Sequence, residues 1–384
     1  MKSFPALILA ASMAITNVAV QAATIIPVDT ATAGFVGLAA QGPLDQATVV
    51  NSYVEFVAIF GSSTVGLANP YLAPSVAGYF ANGGVRLAVV RVASADDATV
   101  IGFDGGLPGT RSGLQALLDV DDVSFVAIPG VTTAAVQAAM IAHCQAAGDR
   151  MAILDSDSPS DINAVQAQRA NLAADDGFAA LYFPWVQAAP TGVSLLLPPS
   201  GFVAGSYSVN NPAQSPVGVI ATATGVAYPV NDAEQNVLNP QGINAIRNLS
   251  GIRIWGARTL SNNPEWRYIS VRRLAFYLEE SIEQGTEWSV FEPNEPALWA
   301  ALKQDMDTFL RLAFLDGWLQ GAVPSEAYFS QCGLGQTMTT ADIDAGRTIL
   351  QFGFAPIRPT EFIVVQIVHQ RPDPSAAPDV FGRR

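Results

Sequence analysis

VSFVAIPGVTTAAVQAAMIAHCQAAGDRMAILDSDSPSDINAVQAQRANLAADDGFAALYF, residues 123–183, sets three short apolar runs around two Ala-rich stretches. The runs are Val123–Ile128, Met151–Leu154 and Ala179–Phe183, each too short for a helix and too continuous to alternate. Strands apolar along their whole length are buried on both faces, the habit of parallel sheets. The stretches near 132–147 and 159–174 are long enough for helices, so strand and helix alternate. That alternation predicts an α/β fold with a parallel-sheet middle domain over residues 96–240.

Toward the amino terminus, residues 28–95 form a smaller block. Gly34-Phe35-Val36-Gly37 reads as a strand followed by a turn at Gly42-Pro43. Tyr53–Phe60 reads as a helix stopped by Gly61, and Tyr71–Phe80 as a second one ending at Asn82-Gly83-Gly84. Val85–Val92 is a buried strand. Residues 1–27, opening MKSFPALILAASMAITNVAVQAA, have two readings. Lys2, an apolar run and Val20-Gln21-Ala22 fit a cleavable secretory signal. The same residues would also serve as an apolar arm pairing with a neighbouring subunit. No later stretch reaches the roughly 18 uninterrupted apolar residues of a membrane span.

Toward the carboxyl terminus, Leu197-Pro198-Pro199-Ser200-Gly201 leads into an irregular stretch to about 240. Residues 241–370 then predict an α+β carboxy-terminal domain, and Trp, Arg, Glu and Asn crowd together from Gly251 to His369. Ser270 reads as the cap of a helix running to Glu283, with Arg272 and Arg273 near its start and Glu279, Glu280 and Glu283 near its end. That polarity opposes the helix dipole, which makes sense if those charges meet another element or subunit. Asn294, Glu295 and Pro296 read as cap, first-turn acid and first-turn proline of the next helix, Glu295–Leu319. Leu298, Leu302, Phe309, Leu310 and Ala313 follow at helical spacing. Opposite them Lys303, Asp307 and Arg311 stand four apart with alternating sign, either a solvated ladder or a partner-binding face. Thr348–Phe354 and Glu361–His369 read as strands, with Pro356 and Pro359 between them, and 371–384 as a Pro-rich flexible tail.

The charge balance narrows function further. Asp and Glu number 33 against 19 Lys and Arg, a formal net charge of −14, and only Lys2 and Lys303 are lysines. Such a surface repels phosphate, so no nucleic-acid partner is expected. Arg supplies the positive charge, and its planar fork suits fixed ion pairs at interfaces. Cys144 and Cys332 have no CxxC context and read as buried free thiols. His143 and His369 have no nucleophile motif near them, and Asp104-Gly105-Gly106-Leu107-Pro108-Gly109-Thr110 lacks the Lys of a phosphate loop. Asp155, Asp157 and Asp161 gather past a strand's carboxyl end, where a metal could sit, yet Pro159 and Asp161 also fit a helix start. The sequence predicts no enzyme, no cofactor and no metal site. A secreted α/β hydrolase would account for the leader and the acidic loop, and a non-contractile binding module for the fold alone.

A series of motifs spans Val28 to Gln370. It runs through Gly34–Gly37 with Gln41-Gly42-Pro43, Phe80–Gly84, Ile128-Pro129-Gly130, Ile153-Leu154-Asp155, Leu181–Trp185 and Pro198–Gly205. Its most specific members are Leu238–Asn244, Trp255–Leu260, Val290–Asn294 and Ala355–Phe362. In that order they resemble the contractile tail sheath proteins of phages and related injection systems. The resemblance implies a structural subunit that polymerises as stacked hexameric rings around an inner tube, and contracts to drive the tube through a target envelope. It implies a subtilisin-like but non-catalytic middle domain, a tube-facing domain at 241–370, and terminal arms that exchange strands. The implied partners are other copies of the chain, the inner tail tube protein, and baseplate and tail terminator proteins, with assembly in the bacterial host cytoplasm and no membrane insertion. Lys303, Asp307 and Arg311 become candidates for the tube contact. Glu361, Phe362, Ile363, Val364, Val365, Gln366, Ile367, Val368 and His369 become candidates for a strand shared between subunits. The chain departs from the family at its opening, where a Pro-Gly-Val-Tyr-Val-Glu-Glu type of strand is missing. At Ser208–Asn211 it lacks the family's Arg and Asp.

Overall fold

A computed structural model describes residues 24–173, 176–357 and 363–370. The first block holds β1 (Ala33–Gly37), β2 (Thr48–Val50), α1 (Tyr53–Phe60), α2 (Leu72–Ala81), β3 (Leu87–Arg91) and α3 (Asp97–Ile101). The alternating region follows with β4 (Phe125–Ala127), α4 (Ala134–Ala147), β5 (Met151–Asp155), α5 (Ile162–Ala170) and β6 (Ala179–Phe183). Next come β7 (Val186–Ala188), β8 (Leu195–Leu197), α6 (Ser200–Val209), β9 (Gly218–Val219), β10 (Ala223–Val226), α7 (Asp232–Leu238), β11 (Ile243–Asn248) and β12 (Ile252–Ile254). The last elements are α8 (Ile269–Thr286), α9 (Pro296–Leu315), α10 (Pro324–Ala327), β13 (Tyr328–Cys332), α11 (Thr340–Asp344), β14 (Arg347–Phe354) and β15 (Ile363–Gln370).

Local chemistry sets many of these ends. Ser52 caps α1 by accepting the Glu55 N–H, and Thr133 caps α4 by accepting the Val136 N–H. Gly148 closes α4 in the left-handed conformation that favours glycine. Two expected caps move. Ser270 lies inside α8, because the chain arrives extended at Tyr268 and turns helical at Ile269. Glu295, not Asn294, takes the cap position of α9, since Pro296 fills the first helical site and holds the residue before it extended. The Asn294 side chain instead accepts the Trp299 indole N–H at 2.7 Å and donates to the Arg347 carbonyl at 2.9 Å.

The main sheet has the order β2-β3-β1-β4-β5-β6-β11-β12-β9. Its centre, β3 through β11, is entirely parallel, while β2, β12 and β9 pair antiparallel at the edges. The predicted α/β class is therefore present, and the fully apolar strands lie where both faces are covered. Gly34 and Gly37, three apart on β1, look to opposite faces. The space above Gly34 is filled by Leu117 and Val123, and that above Gly37 by Leu72 of α2. Two smaller antiparallel sheets complete the described residues, β10-β7-β8 and β13-β14-β15.

A second core forms around α8, α9 and the β13-β14-β15 sheet. It includes Ile25, which reaches over Gly285 of α8 so closely that any side chain there would meet it at 2.8 Å. Beside it the Val28 N–H donates to Ser281 Oγ at 3.1 Å. The two arginines at the start of α8 do meet other elements. Arg272 lies 4.2 Å from the Phe178 and Trp266 rings and 4.4 Å from Phe276. Arg273 sits beside the Phe125 and Tyr207 rings, and its Nη2 donates to the Tyr207 and Asn210 carbonyls. Desolvated cation–π contacts of this kind contribute about 0.5–2 kcal/mol, enough to outweigh an unfavourable dipole end. No described helix is long and apolar enough to cross a membrane.

Candidate functional site

Three places carry the functional readings, and the acidic loop comes first. Asp155 ends β5 and is 2% exposed. Its carboxylate accepts the Gly130 N–H at 3.0 Å, the Ser200 N–H at 2.8 Å and the Ser200 hydroxyl at 2.8 Å. Burial raises its pKa to about 6, with those hydrogen bonds pulling the other way. Asp161 caps α5 through the Ala164 N–H at 2.9 Å, and Asp157 is exposed. Asp155 and Asp161 thus hold separate structural ends, and no metal-holding group of His, Cys, Asp and Glu occurs among the described residues. His143 is buried against Gln115, its pKa pushed down to about 3 by burial and then by the Arg150 charge. Both thiols are buried, Cys332 pushed up to about 12 and Cys144 higher still, so neither is a ready thiolate.

The second place is α9. Leu298, Leu302, Met306, Phe309, Leu310 and Ala313 are buried, and the Lys303, Asp307, Arg311 row lies outside them. The row is not uniform. Lys303 Nζ meets Asp307 Oδ2 at 2.7 Å, and the other Asp307 oxygen accepts the Ser330 hydroxyl from β13 at 2.5 Å. Arg311 is exposed and makes no ion pair among the described residues. Exposed Leu312 and Leu315 follow it at the end of the helix, adding apolar surface to the same turn and the next. Ser330, which anchors Asp307, was invisible in sequence because Tyr328–Cys332 shows no apolar alternation.

The third place is the edge of the β13-β14-β15 sheet. β15 pairs with β14 over eight residues, from Arg347↔Gln370 to Phe354↔Ile363. Among the described residues its other edge carries no strand. Ile363, Val364, Val365, Gln366, Ile367, Val368 and His369 fall on β15, with Gln366 and Val368 exposed, while Glu361 and Phe362 lie outside the described residues. His369 fastens the strand to α8. The Thr286 hydroxyl gives its proton to the Ile282 carbonyl at 2.6 Å, so Thr286 Oγ1 receives the Nε2–H of His369 at 2.8 Å. Burial lowers the His369 pKa and favours that neutral ring. Of the leader, residues 1–23 lie outside the described residues, and of Thr24 to Pro27 it is Ile25 that packs against α8.

These three places are surfaces and fixed contacts, and comparison with known proteins shows what the chain resembles. Residues 109–260 match the family described as phage tail sheath protein central domain, and 261–370 the phage tail sheath C-terminal domain. The chain is 26% identical over 293 residues to a prophage major tail sheath protein of Pseudomonas aeruginosa (strain UCBPP-PA14), covering 71% of this chain and 73% of that one. It is 27% identical to the sheath of an extracellular contractile injection system, PVC, in the contracted state, with a TM-score of 0.74 over 96% of this chain and 98% of that one. The contracted helical sheath of the anti-feeding prophage is similar to the same degree, at 28% identity and a TM-score of 0.73 over 96% and 99%.

Proposed function

The chain belongs to the phage tail sheath family, and from that membership we propose that its copies build the contractile sheath of a phage tail or injection particle. Copies stack as hexameric rings around an inner tube, joined at one end to a baseplate and at the other to a terminator, and assemble in the host cytoplasm. Contraction moves the rings from a strained extended state to a lower-energy one and drives the tube through the target envelope. The observation that carries this reading is the likeness to sheath complexes along nearly the whole chain, 96% at 27% identity. Residues 241–370 present α9 to the tube, with Lys303, Asp307 and Arg311 as the polar contact. β15 accepts an arm strand from a neighbour, which closes an edge that would otherwise pair indiscriminately.

The test is assembly. The chain, expressed alone or with its tube protein, is expected to form long hollow cylinders visible by electron microscopy. Monomers that persist at high concentration in both cases would overturn the reading.

A further inference from the structure

Between the end of α7 and the start of α8 the surface holds a pocket of about 200 Å³ walled by Arg258, Arg267, Thr259 and Asn262. The backbone beneath it is held by hydrogen bonds. Buried Asn244 accepts the Arg258 N–H at 2.7 Å and donates to the Arg258 carbonyl at 2.7 Å and the Leu181 carbonyl at 3.2 Å. The Thr259 N–H bonds the Arg267 carbonyl, and the Thr259 hydroxyl bonds the Trp266 carbonyl. The Arg258 guanidinium lies 5.8 Å from the Tyr268 ring. Elsewhere Arg86, Arg111, Arg150, Arg247 and Arg347 each find a carboxylate of this chain. Arg258 and Arg267 make neither ion pair nor side-chain hydrogen bond among the described residues, although both are half-buried.

Two half-desolvated guanidinium groups beside the exposed Asn262 amide form a receptor for a carboxylate. The volume is below the roughly 300–1,000 Å³ of small-molecule sites, so it suits a side chain presented by a protein rather than a free cofactor. A chain with 33 acidic and 19 basic residues meets its own copies mostly as carboxylate against carboxylate. Its unpaired arginines are where copies can touch without like-charge repulsion. We propose that the Arg258–Arg267 pocket takes a carboxylate side chain of a second copy of this chain and is one of the contacts that join sheath subunits. This rests on the assembly reading above.

Arginine footprinting with p-hydroxyphenylglyoxal, read by mass spectrometry on full-length monomer and on sheath-only cylinders, tests it. Modification at Arg258 and Arg267 is expected to slow at least tenfold in the cylinders, while Arg311, free without a tube, reacts as in the monomer. A folded R258Q/R267Q monomer is expected to give at least tenfold fewer cylinders; if that variant fails to fold, the footprint of the unaltered chain still decides. Equal reactivity of both arginines in monomer and cylinder overturns the inference, as do undiminished cylinders from the folded variant. Protection that appears only with tube protein present assigns the pocket to the tube and overturns the second-copy assignment. An unaltered chain that forms no cylinders sinks the assembly reading, and this inference with it.

Discussion

Asp155 is a buried carboxylate, and its position gives stability a pH dependence. Its ordinary pKa of 3.8 rises to about 6 in the fold. Between those values the folded chain binds more protons than the unfolded one, so stability falls as pH rises from about 4 to about 6. The shift corresponds to about 3 kcal/mol. The unfolding free energy of the unaltered chain is therefore expected to drop by that amount relative to Asp155→Asn across this window. Parallel urea-unfolding curves for the two proteins at pH 4 and pH 7 would show that Asp155 is not the titrating group. A second residue-level test contrasts two arginines. Arg273→Lys loses the planar guanidinium that lies by two rings and the Nη2 that reaches two carbonyls, and should cost about 2–4 kcal/mol. Arg311→Ala should stay within about 0.5 kcal/mol, as exposed substitutions do. Equal losses in thermal unfolding would mean the rings and carbonyls do not need the guanidinium. Sequence alone could see Asp161 as a cap, because its partner is three residues away. It could not separate Asp155 from a metal ligand, because Gly130 and Ser200 lie 25 and 45 residues away in the chain.

At the scale of elements, Ile25 and β15 both lie against α8, so the arm reading can be tested separately for Ile25 and for residues 1–23. Ile25→Ala should cost about 2–5 kcal/mol, since a 4%-exposed side chain over Gly285 leaves a void. Deleting residues 1–23 spares Ile25, and should leave monomer stability in place while blocking cylinders. Normal cylinders from that deletion would make the leader dispensable, as a cleaved signal would be. On α9, reversing Lys303 and Arg311 to Glu should reduce sheath–tube co-assembly while empty contracted cylinders still form. Charged contacts suit a surface that must hold and then release, because exposed pairs contribute only about 0–1 kcal/mol each. Undiminished tube-filled sheaths would reduce the row to a solvated face. The helix itself was legible from Pro296 and the spacing of Leu298, Leu302 and Phe309, and so was a strand at Thr348–Phe354, which the structure begins one residue earlier at Arg347. β13 was not, because Ser330 and Gln331 interrupt its apolar pattern and its place is decided by Asp307 and β14.

For the whole molecule, alternation in the chain announces a parallel sheet but not its order. β1 lies between β3 and β4, and β6 pairs with β11 some 60 residues on, so the order depends on contacts that no local window contains. Net charge, by contrast, is fully present in the sequence and acts on the assembly as a whole. Copies carrying −14 each repel over a distance set by salt. The screening length is about 30 Å at 0.01 M and about 8 Å at 0.15 M, so repulsion between neighbouring copies is long-ranged only in dilute salt. Half-buried pairs such as a carboxylate at Arg258 and Arg267 are screened much less. Raising salt from 0.01 to 0.15 M should therefore increase the fraction of chain that sediments as cylinders, because it removes the repulsion and spares the desolvated contacts. A steady fall in that fraction over the same range would mean that exposed ion pairs hold the rings together, and that the acidic surface is matched across the interface rather than endured.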